Sequence, residues 1–146
     1  MTPSVHGVTG YIVNIHDAVN FDIDLSHKFN KVLPNKYSYY DLTYSQLTHL
    51  TKNVSIKPRE GISYRCRLRG IKFNRKGGAS QINLITKRVR QLINKSDGWV
   101  TCNLYGTDIY NRVLTDIIIF SENKFINLYN YLLDNFGETG IVESYN

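Results

Sequence analysis

The sequence is poor in the features that mark metal-binding, secreted and membrane-spanning proteins. It has two cysteines, Cys66 and Cys102, which lack the paired spacing of a zinc site, and its four histidines show no His-Glu-x-x-His pattern. No apolar run approaches the roughly 18 residues that a membrane span needs. The first residues carry no basic or apolar signal segment. We therefore expect an intracellular protein with buried, reduced thiols, no metal and no membrane contact.

Length and charge describe one basic domain. The chain has 146 residues, of which 42% are hydrophobic and 21% charged, so it can bury one core and is not wholly disordered. Residues 57–95 hold twelve Lys/Arg and one acid, Glu60, whereas the rest of the chain holds six basic and eleven acidic residues. A positive face that attracts polyanions and a solvated face tuned for solubility both fit this distribution.

Hydrophobic periodicity predicts five short strands and two helices. We expect strands at residues 8–15, 21–25, 62–71, 99–105 and 112–120, with helices at 79–94 and 125–135, the last one ending at Gly137. A Tyr-rich insertion at about residues 26–61 has a capping-box pattern for a third, short helix at Thr43. This order predicts one α+β domain over residues 1–146, a five-stranded OB-fold β-barrel with two to three helices. A generic α+β sandwich is the alternative, and Trp99 is expected in the core.

Charged side chains alternate with apolar ones on the second and third predicted strands. Arg65, Arg67 and Arg69 share one side of the third strand because strand side chains alternate. That side is either a solvent-facing edge or a track for phosphates. Asp22 and Asp24 of the second strand are expected on the solvated face of a hairpin.

Three segments of the sequence resemble the staphylococcal nuclease-like (thermonuclease) family. Residues 11–21, Tyr-Ile-Val-Asn-Ile-His-Asp-Ala-Val-Asn-Phe, resemble its first hairpin, in which an apolar strand leads into Asp-Gly-Asp-Thr. Residues 65–71, Arg-Cys-Arg-Leu-Arg-Gly-Ile, match the beginning of Arg-Leu-x-Gly-Ile-Asp-x-Pro-Glu. Residues 108–114, Asp-Ile-Tyr-Asn-Arg-Val-Leu, resemble Asp-x-Tyr-Gly-Arg-x-Leu. The resemblance covers roughly residues 8–136 apart from the insertion, and it implies the same OB-type barrel.

The resemblance implies that the phosphate-binding arginines of the family are present. Enzymes of this family hydrolyse phosphodiesters with a calcium ion, a glutamate that activates water and two arginines that neutralise the phosphate. Residue by residue, the two arginines correspond to Arg67 and Arg112, and Tyr110 keeps an aromatic side chain beside the phosphate. We treat Arg67 and Arg112 as vestiges of a catalytic site.

The acids of the family are replaced. Val19 stands where the second metal-binding aspartate of the hairpin belongs, Lys72 replaces the aspartate after the third strand, and Arg75 replaces the water-activating glutamate. Cationic side chains cannot ligate calcium, and an arginine at its ordinary pKa cannot act as a general base.

These replacements imply a catalytically degenerate nuclease-like domain that needs no cofactor. We expect a basic cleft that binds nucleic acid or another phosphate polyanion. The residues expected to contact the phosphates are Arg65, Arg67, Arg69, Lys72, Arg75, Tyr110 and Arg112.

Two alternatives remain open. In the first, the domain is a protein-interaction or structural component that contacts a protein partner through the insertion, whose tyrosines Tyr37, Tyr39, Tyr40 and Tyr44 suit a protein interface or a base-stacking surface. In the second, it is an active metal-dependent phosphodiesterase (nuclease) that uses Ca²⁺. Its metal site would then be rebuilt from other acids, namely Asp22, Asp24, Asp41 and Glu60.

Overall fold

Eight strands and two helices make up the described part of the chain. A computed structural model describes residues 5–25, 63–74 and 78–145. The strands are β1 Val5–Asp17, β2 Asn20–Asp24, β3 Ser63–Leu68, β4 Ile71–Phe73, β5 Trp99–Thr107, β6 Val113–Ser121, β7 Lys124–Asn127 and β8 Val142–Ser144. The helices are α1 Ala79–Asn94 and α2 Leu128–Phe136, and a 3₁₀ turn follows at Gly137–Thr139. The predicted insertion at 26–61, with its short helix and tyrosine cluster, lies outside the described residues, as does Arg75.

Five of the strands close into a barrel. Antiparallel neighbours follow the order β3-β2-β1-β5-β6, and a parallel pairing between β3 and β6 joins the two ends. That closing pair sets Cys66 opposite Val113 and Leu68 opposite Thr115. Helix α1 lies in sequence between the third and fourth barrel strands. The α+β class and the five-stranded OB barrel with two helices are thus confirmed.

The core fills the interior of the barrel because inward positions alternate along each strand. On β6, every second residue from Val113 to Ser121 is buried, and the residues between them are half-buried. Cys66 and Cys102 are both buried, unpaired thiols, as predicted. Complete burial raises the pKa of the Cys66 thiol to about 12, since the charged thiolate is poorly solvated there.

Helix α1 has the predicted bounds and buries the predicted apolar line. Ile82, Ile85, Val89, Leu92 and Ile93 face the barrel, together with Thr86. The remaining side chains of the helix are exposed. Among the described helices, none is long and apolar enough to cross a membrane.

The last helix begins later than predicted. The sequence suggested a start at Phe125, but Phe125 and Ile126 belong to β7 and pair with Phe120 and Ile119 of β6. The helix begins at Leu128. Asn127 caps its N-terminus, because the Asn127 side chain accepts a hydrogen bond from the Asn130 backbone N–H. Hairpin pairing therefore extends the sheet up to the residue that caps the helix.

The third predicted strand is two strands rather than one. It breaks at Gly70, whose φ of +84° is a left-handed conformation that favours glycine. The chain then leaves the barrel as β4, which pairs antiparallel with β8 near the end of the described residues. The Gly70 carbonyl accepts a hydrogen bond from the Tyr145 backbone N–H at 2.9 Å, which ties the break to the β8 segment.

Trp99 is less buried than predicted, and Asp24 is more buried than predicted. Trp99, the first residue of β5, is half-buried, and its ring packs edge-on against Tyr11 with centroids 4.9 Å apart. Asp24 was expected on a solvated face, yet it is 2% exposed. Asp22 is half-buried and bonded to neighbouring side chains, as described below.

Candidate ligand-binding site around Arg67 and Arg112

The two arginines that the sequence singles out meet at one end of the barrel. Arg67 of β3 lies opposite Asn20 of β2 in the antiparallel register. Arg112, immediately before β6, donates from Nη1 to Asn20 Oδ1 at 2.9 Å. Burial lowers the pKa of Arg67, and the positive charge of Arg112 acts in the same direction. The β2–β3 register and the Arg112 hydrogen bond thus bring both arginines next to Asn20.

The Arg67 guanidinium is directed at the protein backbone. Its Nη2 donates to the Ile71 carbonyl at 2.7 Å, and its Nη1 lies 3.3 Å from the Leu68 carbonyl and 3.4 Å from the Val19 carbonyl. These carbonyls belong to the β1–β2 turn and to the break between β3 and β4. Arg67 therefore fastens the two turns together, and this occupies much of its five-donor capacity.

Arg112 is held by the loop that precedes it. Its Nε donates to Asp108 Oδ2 at 2.8 Å, and Asp108 Oδ1 accepts the backbone N–H groups of Tyr110 and Arg112 at 2.9 and 3.0 Å. The Arg112 guanidinium carbon lies 5.2 Å from the centre of the Tyr110 ring. Within this constrained loop, Ile109 is 88% exposed and Tyr110 is 71% exposed.

The acids near the two arginines are engaged in local structure. Asp17, the aspartate retained in the first hairpin, accepts the Val19 backbone N–H at 2.9 Å and the Asn20 side-chain amide at 3.1 Å. The Val19 side chain, at the position of the lost metal ligand, is 2% exposed and belongs to the core. Within residues 5–25, 63–74 and 78–145, no three His, Cys, Asp or Glu side chains are grouped so that they could hold a metal ion.

Arg65 and Arg69 are each paired with an acid on a neighbouring strand. Arg65 Nε donates to Asp22 Oδ1 at 2.9 Å across the β2–β3 pair. Arg69 Nε lies 3.4 Å from Asp116 Oδ1, and its guanidinium carbon sits 4.2 Å from the centre of the Tyr105 ring. Burial and the hydrogen bond to Asp116 raise the pKa of Tyr105. Two of the predicted phosphate contacts are thus ion pairs of the barrel wall.

Lys72 lies on the small sheet outside the barrel. Its Nζ is 3.8 Å from Glu143 Oε2, and these two residues are direct partners in the β4–β8 register. Both side chains are substantially exposed, so the ion pair is a surface contact of small energetic weight. The structure therefore brings Arg67, Arg112 and Tyr110 together, whereas it gives Arg65, Arg69 and Lys72 acidic partners of their own.

Cations without an acidic partner are found instead on α1. Lys87, Arg88 and Arg90 are exposed and form no ion pair with any other described residue. Arg90 Nη2 approaches the Ile15 carbonyl at 3.4 Å. The sequence carried a signal for this face, since residues 79–96 contain no Asp or Glu. The nuclease-like motifs lie on the strands and their turns, and none of them includes a residue of α1.

Comparisons with known proteins support the fold and leave the family open. No family model matches the chain, and no curated protein matches it in sequence. Among solved structures, the chain is similar to the extended Tudor domain of human TDRD1, solved in complex with a symmetrically dimethylated peptide. The two share 15% sequence identity, the similarity covers 99% of this chain and 94% of that chain, and the TM-score is 0.53. The comparison thus supports the barrel fold alone, and the narrower resemblance to the nucleases remains a prediction.

Proposed function

We propose that this chain is a protein-binding module rather than a hydrolytic enzyme, and that its barrel presents the Ile109–Tyr110 loop to a partner protein. The observation that carries the proposal is the high exposure of these two large side chains, 88% and 71%, on a loop whose backbone is bonded to Asp108. Tyrosine is enriched in protein interfaces, and a loop whose backbone is already held by hydrogen bonds loses less backbone entropy on binding.

The state of the strand cations supports the same function. Arg65, Arg69 and Arg112 are bonded to carboxylates, so a phosphate would have to compete with a partner already in place. The peptide bound to the extended Tudor domain of human TDRD1 is consistent with a barrel of this type serving as a protein-recognition scaffold.

Partner capture with matched variants tests this proposal. The tagged chain is incubated with lysate, and captured proteins are quantified for the wild type, for the double variant Ile109→Ser/Tyr110→Ser and for Leu84→Ser. Leu84 is a suitable control because it is also a large exposed hydrophobic residue, 53% exposed, and belongs to helix α1 rather than to the loop. We expect capture by the wild type and by Leu84→Ser, and loss of capture in the double variant. Equal capture by all three would contradict the assignment of this loop.

A deletion tests the contribution of the insertion. Residues 35–52 lie outside the described part of the chain, and the sequence suggests them as a second protein-contact surface. If the insertion is the main contact, its deletion abolishes capture while Ile109→Ser/Tyr110→Ser leaves capture unchanged. That result would support a protein-binding function and would assign the contact surface to the insertion instead of the Ile109–Tyr110 loop.

Binding of a phosphate polyanion is the second candidate function. The observation that favours it is the meeting of Arg67 and Arg112 at Asn20, beside the Tyr110 ring. This function predicts retention of single- or double-stranded nucleic acid that weakens steeply as salt rises, with a smaller salt slope in Arg112→Ala. Absence of salt-sensitive retention would eliminate it. Digestion assays with Ca²⁺, Mg²⁺ and Mn²⁺ separate both candidates from an active nuclease, and we expect no metal-dependent cleavage.

A further inference from the structure

The second half of β1 has a strand partner on one side only, within the described part of the chain. On the other side, the pairing with β5 ends where Tyr11 meets Trp99, and the Ile12 N–H donates to the Gly98 carbonyl at 2.8 Å. The strand continues for five more residues, 13–17, of which Asn14, Ile15 and Asp17 have register partners on β2, with a bulge or irregularity before Asn14 and another before Asp17. A strand that extends beyond the end of its neighbour has an unpaired edge, and another extended chain can pair with that edge.

A groove runs between this edge and α1. It has a volume of about 230 Å³. One wall is the strand from Tyr11 to Ile15, the other is the last turns of α1, and the turn at Asp97 and Gly98 closes one end. Val13 projects from the strand with 55% of its surface exposed, so an apolar contact is available beside the edge.

The face of α1 that borders the groove carries polar donors. Asn83, Lys87, Arg90 and Asn94 recur at intervals of four, three and four residues, all of them exposed, and therefore share one face of α1. Arg90 reaches across the groove to the Ile15 carbonyl at 3.4 Å, and both Arg90 and Asn94 line the groove itself. Because residues 79–94 contain no Asp or Glu, Lys87 and Arg90 give this face a net positive charge.

We propose that this groove binds an extended, acidic segment of a partner protein, which adds as a strand to residues 13–17 of β1. The inference rests on the proposed protein-binding function and names a second surface and the chemistry of its ligand. Backbone groups of the segment bond to the open edge, and its carboxylates bond to Lys87 and Arg90, displacing the contact between Arg90 and Ile15. Asp97 at the closed end disfavours an acidic residue there.

A peptide fits the groove better than a nucleic acid does. Although its register is irregular before Asn14 and before Asp17, the strand edge offers backbone N–H and C=O groups, which another polypeptide backbone complements and a sugar–phosphate backbone does not. The aromatic stacking surfaces that single-stranded nucleic acids require are also few here, since Tyr11 is the one aromatic residue among those that line the groove.

Fluorescence anisotropy with defined peptides tests the inference on the full chain. The probe is a fluorescein-labelled nine-residue peptide of alternating valine and glutamate. Its comparators carry lysine in place of glutamate, or N-methyl groups on alternate residues to remove backbone donors. An oligothymidylate of similar charge represents nucleic acid. We expect saturable binding of the acidic peptide, at least tenfold weaker binding of the lysine and N-methyl peptides, and no tighter binding of the oligonucleotide.

Charge reversal on α1 supplies the matched controls. Lys87→Glu/Arg90→Glu should weaken the acidic peptide at least tenfold, whereas Arg88→Glu should change binding less than threefold. Arg88 is exposed like the others but lies roughly 160° around the helix from Arg90. All three side chains are on the surface, and circular dichroism verifies that each variant is folded. No saturable binding, equal loss in Arg88→Glu, or preferential binding of the oligonucleotide would each overturn the proposal.

The same assay separates this inference from the proposed function. If Ile109→Ser/Tyr110→Ser removes peptide binding and Lys87→Glu/Arg90→Glu does not, the groove is not the peptide-binding site. The proposal that the Ile109–Tyr110 loop is the contact surface is then retained. If partner capture is independent of the loop and the insertion while the peptide binds as described, the loop is not the contact surface. The proposal that the groove binds an acidic peptide is then retained. Amide NMR of residues 13–17 gives an independent readout, because an added strand slows hydrogen exchange along that edge.

Discussion

Asp108 and Arg112 are joined by a 2.8 Å hydrogen bond between Oδ2 and Nε across one turn of the loop before β6. The second carboxylate oxygen accepts two backbone N–H groups of the same loop, so one side chain satisfies three donors. Both partners are largely shielded from solvent, with 17% and 25% of their side chains exposed. This arrangement holds Tyr110 at the surface while the charge of Arg112 is neutralised beneath it.

Removal of the Asp108 carboxylate should destabilise the fold and loosen the loop. Asp108→Ala leaves three donors without their acceptor, and we expect a loss of about 2 kcal/mol in the free energy of unfolding. Asp108→Asn keeps one acceptor oxygen and should lose less. Urea denaturation measures both, with exposed Asp134→Ala as the control for loss of one negative charge. Equal effects of the alanine variants at positions 108 and 134 would show that the loop does not depend on this bond.

Arg67 and Arg65 should differ in their contribution to stability although they are two residues apart on one strand. Arg67→Met removes the donors to three backbone carbonyls, and we expect a loss of about 2–3 kcal/mol. Arg65→Met removes a pair with Asp22 in which the Arg65 side chain is 52% exposed, so less than about 1 kcal/mol should be lost. Urea midpoints of the two variants provide the comparison. If the order were reversed, Arg67 would not fasten the turns.

The barrel was predictable because its strands follow simple rules. The alternation on β6, from Val113 to Ser121, marks a strand with one buried face, and the line from Ile82 to Ile93 marks a helix with one buried stripe. The predicted boundaries are wrong where pairing between strands overrides the local sequence pattern. Phe125 reads as the start of a helix, but its partner Phe120 extends the hairpin, and no local signal in the sequence reports that pairing.

The site was less predictable because a motif names residues without fixing the direction of their side chains. Motif matching singled out Arg67 and Arg112, and the structure places both next to Asn20. It could not anticipate that Arg67 would bond to carbonyls of two turns. The acids that neutralise the strand cations are distant in sequence, such as Asp116, 47 positions from Arg69. A local charge count of residues 57–95 therefore overstates the free positive charge of the barrel wall.

Gly10 should be intolerant of any side chain. A Cβ atom at this position would lie 2.7 Å from Ile23 Cγ2 and 3.3 Å from Cys102 Sγ inside the barrel. Gly10→Ala should therefore cost about 1–3 kcal/mol through overpacking. Gly137→Ala is the matched control, because its Cβ would find no atom nearer than 3.9 Å and its φ is −61°. We expect thermal unfolding to show a lower Tm for the first variant and an unchanged or higher Tm for the second. A tolerated Gly10→Ala would mean that the barrel expands there readily.

The buried Cys66 thiol should make the protein sensitive to alkali. Its pKa in the folded chain is about 12, whereas a thiol in the unfolded chain ionises near 9. Below about pH 9 both states keep the proton, and the neutral thiol is compatible with the core. Between about pH 9 and 12 only the unfolded state loses it, so rising pH favours unfolding by up to about 1.4 kcal/mol per pH unit. The raised pKa thus corresponds to stability that is complete below pH 9 and is lost above it.

Comparison with Cys66→Ala isolates this contribution from other groups that titrate at high pH. Alanine leaves a small cavity and lowers stability at every pH. Because alanine has no titrating thiol, the contribution of Cys66 to the pH dependence of the unfolding free energy is absent in this variant. Between pH 8 and 10.5, the wild type should lose about 2 kcal/mol more than Cys66→Ala in urea unfolding under reducing conditions. Cys102 and Tyr105 remain in both proteins, and burial, the largest cause of their raised pKa values, is present in both; the charge of Cys66 also raises the pKa of Cys102. Parallel pH profiles for the two proteins would mean that Cys66 is accessible to water, and the closed barrel interior around it would then need revision.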